Sequence, residues 1–237
     1  MEARYKLPFE YNIELLKTDL EIALNFNWKD HYSRHDYSGN WTLIPLWSLH
    51  GSLDELKCEG EASDYKPTAL LKNCSYFQSI IDQFKCDKTR VCLMKLDPNS
   101  NIKTHVDRGL SYLSGSFRVH IPIQTLDELY FYHAEERVVM EEGSCWYLNF
   151  ELPHRVENKG TIPRVHFVMD CERNEWSDKL FAALGYDFEY EDEVRYAHFT
   201  IDDMNHIMKN IEQSNVENKE IYLNHWKTRI NKRLTKK

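Results

Sequence analysis

No apolar run in this sequence approaches the roughly 20 residues a helix needs to cross a bilayer. TLIPLWSL, from Thr42, is among the longest, and the opening MEARYKLPFEY has no apolar stretch of the secretory kind. Glycine and proline are scarce, at 8 and 7 of 237 residues, which excludes collagen-like and low-complexity disordered chains. Basic residues are outnumbered, 30 against 38 acidic, and a net charge of −8 argues against nucleic acid as the main partner. Cys58, Cys74, Cys86, Cys92, Cys145 and Cys171 form no CxxC pair and no regular framework, so they are read as reduced thiols. These absences leave a cytoplasmic globular chain with no membrane partner, long enough for one large domain or for one domain with an appendage.

Apolar residues recur at helical spacing over 12–25, after a short extended LPFEY. A Ser38-Gly39-Asn40 turn introduces a strand over 41–48, residues 50–67 read as a polar loop, and 69–84 returns to helical period. From Lys88 to Cys171 the runs RVCLMKL, SFRVHIPIQT, ELYFYHA, ERVVME, SCWYLNF and PRVHFVMD are short, β-branched and aromatic, with polar turns between them. Such a density of strands without helices predicts a mainly β fold, a double-stranded β-helix or cupin-like jelly roll, with the N-terminal helices packed outside. The division expected is a jelly-roll domain over 1–176 and a helical appendage over 177–237, with helices at 201–211 and 216–230, an acidic DFEYEDE stretch and a basic KRLTKK tail. The appendage could cover the barrel mouth, form a homodimer, or dock a peptide or carrier protein; covering the barrel is the default, because apolar residues around Ile201, Met204, Ile207 and Ile211 need burial.

Chance alone supplies about two His-x-Asp/Glu pairs in a chain with this many histidines and acids, and there are two: His105-Val-Asp107 and His133-Ala-Glu135. Context separates them. His105 and Asp107 close the loop DPNSNIKTHVDRG between two strands, at the mouth where a jelly roll would hold a ligand, whereas His133 and Glu135 fall in a turn and should be exposed. In extended chain, residues i and i+2 share a face, so an imidazole and a carboxylate can reach one ion. His154, after a strand and a proline, supplies a third ligand, and Arg164 sits ten residues later on a strand expected to be buried, where a guanidinium needs an anionic partner. Two histidines and one carboxylate leave three positions open on an octahedral ion, which suits Fe(II) binding a bidentate 2-oxoacid and then O2; a structural zinc would want four closed ligands.

HVD, FRVHIPI, WYLNFELPHRVENKG and RVHFVMD together resemble the aspartyl/asparaginyl β-hydroxylase-like family of Fe(II)- and 2-oxoglutarate-dependent dioxygenases, to which some proline hydroxylases are also similar. The likeness spans roughly residues 5–176. It implies that His105, Asp107 and His154 hold iron, that Arg164 pairs with the distal carboxylate of 2-oxoglutarate, and that Arg118 and His120 contact cosubstrate or a substrate carboxylate. Some animal members lack the triad carboxylate; with Asp107 this chain is similar to the bacterial branch. Met94 stands where those animal members carry a serine that helps hold the cosubstrate, so another donor must serve. His166 is read as a core or rim residue.

The activity implied is hydroxylation of an unactivated C–H bond in an amino acid, or in an Asp/Asn-like residue of a peptide, with succinate and CO2 formed. Arg34, His35, Tyr37 and Trp41, in a polar-aromatic loop, could clamp such a substrate. A non-catalytic cupin-like metal- or ligand-binding protein is the rival from another class, and a zinc or manganese hydrolase or isomerase on a similar barrel is the rival enzyme.

Overall fold

The β-rich segments pair into two antiparallel sheets. The computed structural model describes residues 3–57 and 60–235, so Cys58 and the last two lysines of the tail lie outside the described residues. In chain order the elements are β1 (Arg4–Glu10), α1 (Ile13–Leu24), β2 (Lys29–Asp30), β3 (Tyr37–Ser38), β4 (Trp41–Leu49), β5 (Tyr65–Pro67), α2 (Ser75–Gln83), β6 (Lys88–Leu96), β7 (Ser100–His105), β8 (Ser116–Gln124), β9 (Leu129–His133), β10 (Glu136–Val138), β11 (Ser144–Leu148), β12 (His154–Asn158), β13 (Arg164–Glu172), α3 (Glu175–Ala183), α4 (Phe188–Tyr196), α5 (Ile201–Gln213) and α6 (Lys219–Thr235). One sheet runs β1-β11-β8-β13-β6-β4-β2 with β5 alongside β4, and the other runs β10-β9-β12-β7-β3. This is the jelly roll that the sequence predicts.

The core lies between the sheets. Leu43, Met94, Leu148 and Val168 of the larger sheet meet Ile102, Phe131, Val138 and Val156 of the smaller one. The outer face of the larger sheet is covered too: Phe167 packs on Phe77 of α2 at 5.5 Å, and Phe117 on Phe181 of α3 at 5.5 Å. Burial on both faces explains why β8 and β13 are buried almost from end to end.

α1 begins where Asn12 accepts from the Leu15 N–H, in agreement with the sequence. α2 is shorter than the periodicity over 69–84 implies, because Cys74 is not helical (φ −115°, ψ 78°) and only a single 3-10 turn, Leu71–Asn73, precedes it. β7 and β12 replace what reads as loop in the sequence; each has one buried apolar side chain, Ile102 or Val156, and is held by pairing rather than by pattern.

The chain divides into two compact units at Tyr186 and Asp187. α3 belongs to the first, where its Phe181 stacks on Tyr112 at 3.7 Å. In the second unit, the acidic stretch forms α4, capped by Asp187 and carrying Glu189 and Glu191 in its first turn, where the helix dipole favours them. α5 and α6 follow, with Arg229 pairing with Asp192 at 2.6 Å and lying over the Tyr196 ring. Among the described residues no helix is long and apolar enough to cross a membrane, and no disulfide joins the five described cysteines.

Candidate active site

The period of two along a strand sets the inner wall. On β13, Arg164, His166, Val168 and Asp170 face one way, and their partners across the sheet repeat the same face. Asp170 lies between Arg90 of β6 and Arg118 of β8; Val168 lies between Cys92 and His120; His166 lies between Met94 and Pro122; Arg164 is opposite Leu96. The first row is a buried line of alternating charge. Arg118 clasps Asp170 with Nε and Nη2 at 2.6 and 3.0 Å, and Arg90 Nη2 reaches the same carboxylate at 2.9 Å. Burial opposes ionisation of Asp170, but Arg118 and Arg90 outweigh it and hold the carboxyl well below the usual range.

The second sheet brings the metal-ligating types to this row. His105 ends β7, His154 begins β12, and the two are register partners with ring centroids 4.1 Å apart. Asp107 follows the end of β7, its N–H donating to the Phe150 carbonyl at 2.8 Å, while the Phe150 N–H donates to Leu110 at 3.1 Å. Glu151 holds the same loop, accepting from Gly109 N–H, Ser111 Oγ and Ser114 Oγ.

One ligand atom from each of His105, Asp107 and His154 lies within 4.8 Å of the others. Each histidine donates its Nδ1–H to a backbone carbonyl, His105 to Lys103 at 2.8 Å and His154 to Leu152 at 3.1 Å. That fixes the tautomer and leaves Nε2 as the lone-pair donor. Burial, then the neighbouring His105, push His154 down to about 4, so it is neutral at physiological pH. Burial works against the Asp107 charge, but Arg118, with the two histidines, holds its carboxyl below the ordinary value. Three ligand atoms of the types a divalent metal binds are thus gathered at one point.

The cavity beside them has a volume of about 830 Å³ and is lined by the three ligands, Arg118, His120 and Arg164 among others. Arg164 is at its deep end, 2% exposed, and no carboxylate pairs with it among the described residues. Burial alone pushes its guanidinium down to about 9. A dicarboxylate would supply the missing charge, and the donor set with open positions suits Fe(II). His120 lies at hydrogen-bond distance from His166, 3.2 Å between the Nδ1 atoms, and its Nε2 is buried without a partner.

Arg118 lines the cavity and bonds Asp107 and Asp170 through three of its N–H groups, so in this structure it orients a ligand-type carboxylate. Met94 lines the cavity and offers no strong donor. Of the suggested clamp only Trp41 reaches the cavity: Arg34 pairs outside with Asp30, His35 is exposed, and the buried Tyr37 hydroxyl donates to the His31 carbonyl. His133 is fully buried rather than exposed, with Nε2 donating to the Asn149 carbonyl at 2.7 Å, and Glu135 is exposed. Sequence reasoning missed Arg90, Asp170 and His31, the last stacked on Trp41 at 3.5 Å and on Tyr32 at 4.3 Å. Stepping by twos along β13 from Arg164 would have reached Asp170.

A jelly roll with two histidines and one carboxylate at its mouth defines the class of non-haem iron oxygenases. Residues 10–174 match the family model of aspartyl/asparaginyl beta-hydroxylase, and the chain belongs to that family. It is a hydroxylase-type oxygenase that works with Fe(II), 2-oxoglutarate and O2. Solved structures similar to it include a Pseudomonas putida prolyl-4-hydroxylase (11% identity, 73% of this chain and 94% of that one, TM-score 0.49). HygX from Streptomyces hygroscopicus, with nickel and 2-oxoglutarate bound, is 8% identical over 73% of this chain and 84% of its own, TM-score 0.47. A 2OG-Fe(II) oxygenase family oxidoreductase from Burkholderia pseudomallei is 14% identical over 73% and 86%, TM-score 0.44.

Proposed function

We infer that the protein hydroxylates a carboxylate-bearing small molecule, a free amino acid or an Asp/Asn-like residue in a peptide, with His105, Asp107 and His154 holding Fe(II) and Arg164 receiving the distal carboxylate of 2-oxoglutarate. When bound, iron and 2-oxoglutarate supply the oxidising chemistry: O2 and the oxoacid are converted to succinate and CO2, and one oxygen atom enters an unactivated C–H bond. The chain's own groups do the rest. The Nδ1–H bonds of the two histidines fix their rings, and Arg118 fixes Asp107.

The observation that carries the reading is the buried, uncompensated Arg164 in the same cavity as the three ligands. Arg164 and Asp170 are six residues apart on one face, roughly 20 Å along the strand, which separates a cosubstrate end from a substrate end. At the latter, Tyr32 and Arg90 line the cavity. All of these residues belong to the first unit.

The test needs no substrate. Fe(II) is added anaerobically and 2-oxoglutarate titrated while the weak visible charge-transfer band of a chelated 2-oxoacid is followed. The band appears in the wild type and is lost in Arg164→Met at the same oxoacid concentration. Iron binding with no band at any concentration would overturn the reading.

A further inference from the structure

Arg164 and His166 stand two residues apart on the inward face of β13, 2% and 0% exposed. Arg164 Nη2–H donates to His166 Nδ1 at 2.9 Å, while Arg164 Nε–H is buried without an acceptor. The cavity's other two buried guanidinium groups, Arg90 and Arg118, share the Asp170 carboxylate. Arg164 is treated differently: its side-chain partner accepts a hydrogen bond but carries no charge. A buried guanidinium is ordinarily matched by an anion, because desolvation is otherwise uncompensated. A neutral acceptor fixes the plane of the group and leaves its positive charge for something else.

His166 is suited to that task. Accepting at Nδ1 puts the ring proton on Nε2, and burial, then the adjacent Arg164, keep the ring neutral. The Nδ1–H of His120 approaches the same atom at 3.2 Å, bracing the ring from the neighbouring strand. Met94 and Pro122, its partners on either side, bring no charge.

We propose that His166 is a positioning residue that orients Arg164 without neutralising it, and thereby makes the deep end of the cavity selective for a 2-oxoacid with a second, distal carboxylate. This rests on the assignment of Arg164 to the cosubstrate. A carboxylate at position 166 would neutralise Arg164 and repel an incoming one. An apolar side chain would leave the charge in place but the guanidinium unheld.

The experiment is calorimetric titration of the full chain loaded with redox-silent Zn(II), using 2-oxoglutarate and 2-oxopentanoate, which has the same carbon chain without the distal carboxylate. The wild type prefers 2-oxoglutarate by about 100-fold, the range of a charge-assisted, desolvated pair. His166→Asn, which keeps a neutral acceptor, holds that preference within about threefold, and His166→Leu weakens 2-oxoglutarate about tenfold with little change for 2-oxopentanoate. His166→Asp brings the preference close to one. A His166→Leu protein with the wild-type melting temperature and wild-type 2-oxoglutarate affinity overturns the proposal, as does a folded Asp variant with the full preference. If the Asp variant does not fold, the Asn and Leu variants decide alone. Failure of the parent assignment looks different: Arg164→Met would then leave both affinities unchanged.

Discussion

Arg118 Nη1 donates to Oδ2 of Asp107 at 2.5 Å while its Nε and Nη2 grip the two oxygens of Asp170. The remaining Asp107 oxygen, Oδ1, is 3.8 Å from His105 Nε2. One arginine therefore fixes which oxygen of the carboxylate is free to bind a metal, and it is itself fixed by its register partner on the neighbouring strand β13. The line from Arg90 through Asp170 and Arg118 to Asp107 joins the larger sheet to the ligand cluster of the smaller one.

Arg118→Gln should therefore weaken metal binding although Arg118 touches no metal. Partners that orient metal ligands are worth about 10- to 100-fold in affinity, and a chelator competition with Fe(II) under anaerobic conditions reads this directly. Wild-type affinity in a folded Arg118→Gln protein would show that Asp107 is held by its backbone alone.

Asp170→Asn tests the other end of the line. The substitution is isosteric, yet it leaves Arg90 and Arg118 buried with less than their full counter-charge, and breaking such a pair costs about 3–5 kcal/mol. Urea unfolding of the metal-free protein should show a loss of that order with an unchanged slope. A loss of less than about 1 kcal/mol would mean that water or Asp107 compensates the two guanidinium groups.

How far the sequence could be read follows from what each residue needs. Strands with a continuous apolar pattern, such as β8 and β13, are visible because both their faces are buried. β7 and β12 are nearly invisible, since His105, His154 and their polar neighbours are held by cross-strand pairing and not by burial of apolar surface. That His105, Asp107 and His154 come together was legible from spacing and loop position, with Arg164 on a strand expected to be buried. The pairing of Arg118 with Asp170 was not legible, because a sequence shows the charge but not the carboxylate on the neighbouring strand. The helix α4 was hidden by its acidity, which the Asp187 cap and the helix N-terminus accommodate.

The buried histidines make the fold acid-sensitive above the carboxylate range. His31 is pushed down to about 3 by burial, then by Arg90 and Arg118; His154 lies at about 4, and His120 and His166 lie well below the ordinary imidazole value through burial. In the unfolded chain these rings take up protons near pH 6.5, whereas the folded chain keeps them neutral, so below that pH the unfolded state binds more protons and stability falls. Each ring contributes about 1.4 kcal/mol lost per pH unit below 6.5. The contribution of Asp107 and Asp170, held below the ordinary carboxyl value, is lost only at still lower pH, as the medium drops below about 4. The urea midpoint of metal-free protein should drop steeply from pH 7 to pH 5. A flat midpoint over that interval would contradict the burial of neutral imidazoles.

Glu151 controls the loop that carries Asp107, and its removal should loosen the metal site without dismantling the barrel. Its carboxylate accepts from Gly109 N–H at 3.0 Å, Ser111 Oγ at 2.7 Å and Ser114 Oγ at 2.8 Å. Partial burial opposes its charge, but these three donors hold the carboxyl below the usual value. With Glu151→Ala the loop loses the acceptor that ties Gly109, Ser111 and Ser114 together and keeps its backbone bonds to Phe150 and the Arg118 pair, so the position of Asp107 is less well defined. Zn(II) affinity should fall about tenfold, while melting of the metal-free protein changes little because the clamp is at the surface. Glu151→Gln, which keeps one acceptor oxygen but turns an amide N–H toward a serine donor, should fall between the two. If the Ala variant binds Zn(II) as the wild type does, the two Phe150 bonds and Arg118 suffice to place Asp107, and the serine–glutamate cluster serves only to close the turn around Tyr112–Ser114.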